Sequence, residues 1–366
     1  MRSRIALRLT VGAMLCAPVL SPGLASADAT ADFTQGDPEL ESIGSIAFGP
    51  DGVLFVGDSR AGQIVALATD GEPGSGALDL EGIDQKIAGL LGTTPEDVRI
   101  HDLAVHPETH TAYLSVSRGQ GDDETPLLLR VHPGGAIDEL SLTEARFSKV
   151  ILPGLPDPAA QHRGRSLREL AITDIAYLAG KVYVAGLSNE EFASKLRVVP
   201  FPFGGVDSGT SVEIYHGSHG AWETRSPIRT FVPYEVASDM HILAAYTCTP
   251  LVTFPVDAIS TGAKIQGTTV AELGNRNRPL DMVVYQKNGR DFLLMANSSR
   301  GVMKIDPNGI EKAEAIDAPV DDKAGLGYER IAHLDGVHQL DRLDDEHALV
   351  LMEQNGSIDL KTIPLP

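Results

Sequence analysis

The stretch "SIGSIAFGPDGVLFVGDSRAGQIVALAT" (42–69) decides the fold. Three short apolar runs are separated by two turns. "GPDG" joins the first pair, and "SRAG" joins the second. Runs of four to six β-branched and aromatic residues bounded by Gly, Pro, Asp and Ser read as strands joined by tight hairpins. A three-stranded antiparallel sheet is the local reading. It is too small to bury its own faces, so it needs neighbours of the same kind.

Those neighbours follow along the chain. "RIHDLAVHPETHTAYLSVSRG" (99–119), "AITDIAYLAGKVYVAGLSNEEFASKLRVVPF" (171–201), "SPIRTFVPYEVASDMHILAAYTCTPLVTFPVD" (226–257), "PLDMVVYQKNGRDFLLMANSSRGVMKIDPNG" (279–309) and "DGVHQLDRLDDEHALVLMEQNGSIDLKTI" (335–363) repeat the strand–turn–strand–clip–strand pattern. A spacing of roughly 40 to 60 residues is that of propeller blades. The sequence thus predicts an all-β, single-domain β-propeller over 28–366. It has six blades, or seven if 28–42 and 200–215 hold the strands of another. Helix is expected only in 78–99 and, more weakly, in 140–149.

The amino terminus reads differently. Arg2, Arg4 and Arg8 precede an apolar run and then Ala25-Ser26-Ala27. This is the pattern of a cleaved secretory signal over 1–27, too short and wrongly flanked for a membrane span. The expected product is periplasmic or secreted. The segment carries three arginines and no acid, so its removal takes the formal net charge from -20 to -23. Such acidity argues against nucleic-acid partners. Of the two cysteines, Cys16 leaves with the signal, and Cys248 remains as a lone thiol that is buried, reactive or a metal ligand.

Strand direction sorts the polar residues. Starts of first strands and ends of second strands share one mouth of the ring. His101, Asp102, Asp174, Asp281 and His338 fall at first-strand starts, and Tyr246 and Cys248 fall in the clip after a second strand. "YHGSHGAWETRSP" (215–227), with His216, His219 and Trp222, falls in the connection from the third blade to the fourth, at the same mouth.

Three chemistries follow. His216 and His219, joined by His101 or His338, could supply three imidazoles. With Cys248 the set favours copper, with zinc or iron as alternatives. Tyr246, two residues from Cys248, is expected to share its side and to join one-electron copper chemistry. Asp102, Asp174 and Asp281 offer hard oxygen ligands for calcium. A recurring Asp at a strand start also has a plain structural use, accepting backbone N–H groups of the neighbouring blade. Arginines precede several first strands: Arg163, Arg165 and Arg168, then Arg225, then Arg276 and Arg278, with Arg300 nearby. Arg225, Arg276, Arg300 and Trp222 are expected to hold a small, anionic substrate; the competing use is ion pairing with Glu169, Glu223, Glu272 and Glu329.

On these repeats and on the "HGSHGAW" run, the chain resembles six-bladed propellers of the NHL, SMP-30/gluconolactonase and soluble quinoprotein dehydrogenase type. The last of these resemblances implies an oxidoreductase. The SMP-30 resemblance implies a calcium-type hydrolase or lactonase, here using Asp102, Asp174 and Asp281. A third reading is a non-catalytic propeller serving an exported electron-transfer partner. Serine-hydrolase, Walker, dinucleotide and c-haem motifs are absent from the sequence.

Overall fold

The computed structural model describes residues 28–366 except 72, 73, 75 and 77. The expected signal, 1–27, lies outside the described residues. Among those described, no helix is long and apolar enough to cross a membrane.

Six antiparallel sheets form the ring, numbered I to VI by the position of their inner strands in the chain. The inner strands are Ile46–Phe48, Val98–Val105, Asp174–Leu178, Thr230–Val236, Pro279–Lys287 and Val337–Arg342. The segments 28–42 and 200–215 add no seventh blade. Thr34–Gly36 is an edge strand of blade I, and Thr210–His216 is the fourth strand of blade III.

The second strands are the most buried, as in Val53–Asp58 and in all of Lys181–Leu187 beyond its first residue. Their two faces pack against the two adjacent blades, which is why these runs are continuously apolar rather than alternating. Glycine marks the tightest approach. A Cβ at Gly186 would stand 2.0 Å from the Ala171 carbonyl oxygen.

The blades do not follow one another around the ring in chain order. Inner strands touch in the order II, I, III, IV, V, VI, and back to II. The six hydrophobic clusters lie between the same neighbours; one joins blade II to blade VI through Leu114, Leu349 and Leu351. The chain leaves blade I after its edge strand and its three innermost strands, builds blade II on its far side, and returns. Ala145–Ile151 then completes blade I as its fourth strand, pairing with Gln63–Ala68. That strand occupies part of 140–149, where a helix was expected; pairing with an open sheet edge outweighed a weak local preference.

The expected helix in 78–99 is present as Ile83–Leu91, bounded by Gly82 and Gly92 in left-handed conformation. Ile83 and Ile87 are buried over the joint between blades II and VI. Leu80 also bridges Leu360 on the outermost strand of blade VI. The outward leg of the chain thus covers the place where the last blade closes the ring.

Inside the ring, four aspartates each reach one blade onward in the same sense. Asp102 accepts Ile46 N–H at 2.8 Å, Asp174 accepts Phe231 N–H at 2.7 Å, Asp281 accepts Leu340 N–H at 2.8 Å, and Asp341 accepts Val105 N–H at 2.7 Å. Each also accepts the N–H of the residue that follows it. The carboxylates expected as calcium ligands are therefore engaged as rivets between inner strands. They line a channel cavity of about 750 Å³. Burial raises all four pKa values, to about 6 for Asp174 and Asp341. Asp102 and Asp281 are raised further, by burial and by repulsion among the channel carboxylates.

Candidate metal centre

The HGSHGAW stretch is a hairpin on the outer edge of blade III. Thr210–His216 pairs with Ala221–Glu223, with His216 opposite Ala221 and Ile214 opposite Glu223. Ile214 and His216 share a face, so Glu223 lies diagonally beside His216 on it. Gly217 lets the turn sit close to its neighbours: a Cβ there would meet Val320 Cγ2 at 2.7 Å and Glu272 Oε1 at 3.1 Å. Its N–H donates to Glu272 Oε1 at 2.6 Å.

Cys248 comes from the clip between the second and third strands of blade IV. Cys248 and Thr249 have φ of 65° and 60°. Two consecutive left-handed residues, one of them β-branched, persist only where the surroundings hold them. The segment leading into blade V does so. Cys248 N–H donates to Asn277 O at 2.7 Å, and Thr249 Oγ1 donates to Gly274 O at 2.9 Å. The second strand ends at Ala245, so strand alternation does not carry Tyr246 and Cys248 to one side. Tyr246 instead belongs to the core between blades III and IV. Its hydroxyl is buried without a hydrogen-bond partner, and burial raises its pKa well above the usual tyrosine value.

One ligating atom each from His216, His219 and Cys248 lie within 4.8 Å of one another, the one such group among the described residues. The imidazole rings of His216 and His219 stand 3.9 Å apart between centroids. Glu223 Oε1 accepts from both Nδ1 atoms, at 3.1 Å from His216 and 2.6 Å from His219, and Ser226 Oγ donates to Oε2. Burial alone would raise the Glu223 pKa, but these three hydrogen bonds outweigh it and bring the value to about 2. An ionised carboxylate can only accept, so both histidines carry their proton on Nδ1. In the neutral rings Nε2 is then the free lone pair. His216 is 2% exposed, and its Nε2 is buried with no hydrogen-bond partner. The nearest acid to that atom, Glu272 Oε2, is 4.0 Å away, and burial raises the pKa of Glu272. A carboxylate holding the far nitrogen of a histidine is the usual outer support of a metal ligand.

The other expected ligands stand elsewhere. His101 and His338 lie on the inner strands of blades II and VI, across the ring from the III–IV joint; the exchange of blades I and II puts His101 there. His101 Nε2 bonds Ser117 Oγ at 2.8 Å beside a pocket of about 270 Å³ that includes Arg60 and Glu124, and burial lowers its pKa to about 4. Burial lowers that of His338 as well. Asp102 lies in the channel.

The arginines divide. Arg300 is tied to Asp322 at 3.0 Å and to Asn275 O. Arg225 is exposed and donates Nε to Glu191 O at 3.3 Å. Arg276 is exposed, with φ of 56°. Trp222 is 46% exposed and packs edge-on against Tyr215. Arg168 is structural, donating to the carbonyls of Ser59, Arg60 and Pro156. Glu223 and Glu272, expected as partners of arginines, serve the histidine hairpin instead. Their role was readable only by pairing His216 and Glu223 across a hairpin turn.

No protein-family model matches the chain, and no curated protein matches its sequence. Solved structures with a similar course include a Thermus thermophilus protein described as an oxidoreductase (glucose dehydrogenase). It has 12% identity and a TM-score of 0.37, over 90% of this chain and 100% of that one. The PQQ-bound aldose sugar dehydrogenase of Streptomyces coelicolor has 12% identity and a TM-score of 0.30, over 90% and 96%. Drosophila plexin A, in complex with semaphorin 1b, has 12% identity and a TM-score of 0.37, over 93% and 86%. At this level of likeness a dehydrogenase and a plexin score alike, so the functional reading rests on the chain's own residues.

Proposed function

We propose that the protein is an exported propeller oxidoreductase whose His216, His219 and Cys248 hold one transition metal, copper first and zinc or iron next. The observation that carries this reading is the buried, unpartnered Nε2 of His216, beside a second imidazole and a thiol. Leaving a buried polar atom unpaired costs about 1–3 kcal/mol, which a bound ion would remove. Two imidazoles and one thiolate are the donors of trigonal copper sites, and three protein ligands leave a position open for substrate. Bound copper would supply one-electron chemistry. The chain's own part is to fix both imidazoles through Glu223, to hold the thiol in a clamped turn, and to present the site on the propeller mouth. The reading of 1–27 as an export signal supports assembly in an oxidising compartment, where a small molecule or another exported redox protein would exchange electrons with it.

The test is elemental mass spectrometry of the 28–366 protein after export with metal supplied. It is run beside His216→Ala/His219→Ala and Cys248→Ser variants. Near-stoichiometric copper, zinc or iron, lost in the double variant, is the expected result. Metal-free wild-type protein would refute the centre and leave the hairpin as a partner surface.

A further inference from the structure

The mouth beside the proposed centre carries positive charge that no acid answers. Arg229 immediately precedes the inner strand of blade IV, and Arg278 immediately precedes that of blade V. These strands are neighbours, so the two residues hold the same place in adjacent blades. Arg165 comes from the small hairpin Gln161–His162 and Arg165–Ser166, ahead of the inner strand of blade III. Among the described residues none of the three makes an ion pair within 4.0 Å, and Glu169, Glu223, Glu272 and Glu329 pair with no arginine. Arg229 Nε is buried with no hydrogen-bond partner. Burial, then the charges of Arg278 and Arg165, lower its pKa to about 10, so the three guanidiniums feel one another.

In a chain of net charge -20 this is an uncommon outcome. Arg165 and Arg278 are exposed, and their charges add to the cost of holding the charge of the partly buried Arg229. The backbone anchors them in place. Arg229 N–H donates to Ala245 O at 2.8 Å, and Thr173 Oγ1 donates to Ile228 O at 2.7 Å. Arg278 N–H donates to Ser298 Oγ at 3.0 Å, and Ser298 N–H donates to Arg278 O at 2.9 Å. The same arc carries the donor cluster: Asn277, next to Arg278, holds the Cys248 turn, and residues 224–228 link Glu223 to Arg229.

We infer that Arg165, Arg229 and Arg278 form a binding site for a small dianion whose charged ends are oxygens, presented beside the metal centre. Guanidinium forks match such groups in two-pronged fashion, and two negative charges offset two of the three guanidiniums. The position of the anion relative to chemistry rests on the metal reading; the anion site itself does not.

The test is thermal unfolding of the wild-type protein, metal-loaded and metal-stripped, with sulfate, phosphate or malonate against chloride at matched ionic strength. Either tetrahedral anion or the dicarboxylate is expected to raise Tm by about 3 °C at concentrations well above Kd. Comparing sulfate and phosphate with malonate separates the two shapes. Arg229→Gln and Arg278→Gln are expected to lose this shift. Without anion, Arg229→Gln is expected to melt no lower than wild type, because it removes an unpaired buried donor and a repulsion. Three results would overturn the inference: shifts no larger than with chloride, shifts retained in both variants, or shifts present only with metal bound. Metal content of the variants is measured in parallel. Unchanged metal with a lost anion shift separates this site from the centre, and an anion shift in a protein that never binds metal leaves this inference standing alone.

Discussion

The aspartate belt makes the most quantitative prediction. Asp102, Asp174, Asp281 and Asp341 have folded-state pKa values raised above the ordinary 3.8, because burial in the channel disfavours their ionised forms and, for Asp102 and Asp281, repulsion by the other channel carboxylates adds to it. For an acid raised on folding, the folded chain keeps a proton that the unfolded chain has released. The stability this gives is present at low pH and is lost as pH rises through the folded value. Asp174 and Asp341 lose it around pH 6, and the Asp102–Asp281 pair loses it higher. If the pair shares only one retained proton, the slope is about 1.4 kcal/mol per pH unit. Between pH 6 and pH 8 that gives a loss of about 1–3 kcal/mol, with the lower end allowing for screening by channel water. Urea unfolding midpoints measured from pH 5 to pH 9 check it. The Asp102→Asn/Asp281→Asn variant is the control, since each amide oxygen can still accept one backbone N–H. The wild-type midpoint is expected to fall across pH 6–8, and the variant's to show only the fall near pH 6 that Asp174 and Asp341 give and then to stay level. A flat wild-type profile, or an equal slope in the variant, would refute the argument. Calcium added at pH 8 provides a further arm: a large rise in stability would mean that the carboxylates serve a cation rather than the neighbouring amides.

Other perturbations follow from single contacts. Glu223→Gln weakens the hold on both imidazoles and is expected to lower metal affinity about 10- to 100-fold, measured by competition with a chromogenic chelator. Gly217→Ala puts a methyl 2.7 Å from Val320 Cγ2, and a loss of about 1–3 kcal/mol in denaturant titration is expected. Arg168→Lys replaces a planar fork that reaches three carbonyls of 59, 60 and 156 with a single ammonium. It should cost about 1–3 kcal/mol and leave metal content unchanged. Cys248 should react with a thiol reagent in metal-stripped protein and be protected once copper or zinc is added.

By itself, the sequence determined the architecture. Apolar runs of strand length, turns of Gly, Pro, Asp and Asn, and six recurrences of one pattern allow little besides a propeller, because each small sheet can bury its faces only against another like it. Counting hairpins also led to the expectation of His216, His219 and Cys248 at one mouth, and the structure brings one ligating atom of each within 4.8 Å of the others. The sequence offered both roles for Asp102, Asp174 and Asp281, and their hydrogen bonds to Ile46, Phe231 and Leu340 show the structural one. What only the tertiary structure decided is neighbourhood. The inner strands of all six blades are alike in pattern, so nothing local states which blade adjoins which. The order around the ring was set when Ala145–Ile151 paired with Gln63–Ala68 across more than seventy intervening residues. That one pairing carried His101 to the far side from His216 and made blade II the partner of blade VI. Tyr246 moved into the core for a related reason: two left-handed residues in the turn, held by the chain entering blade V, broke an alternation that a continuous strand would have kept.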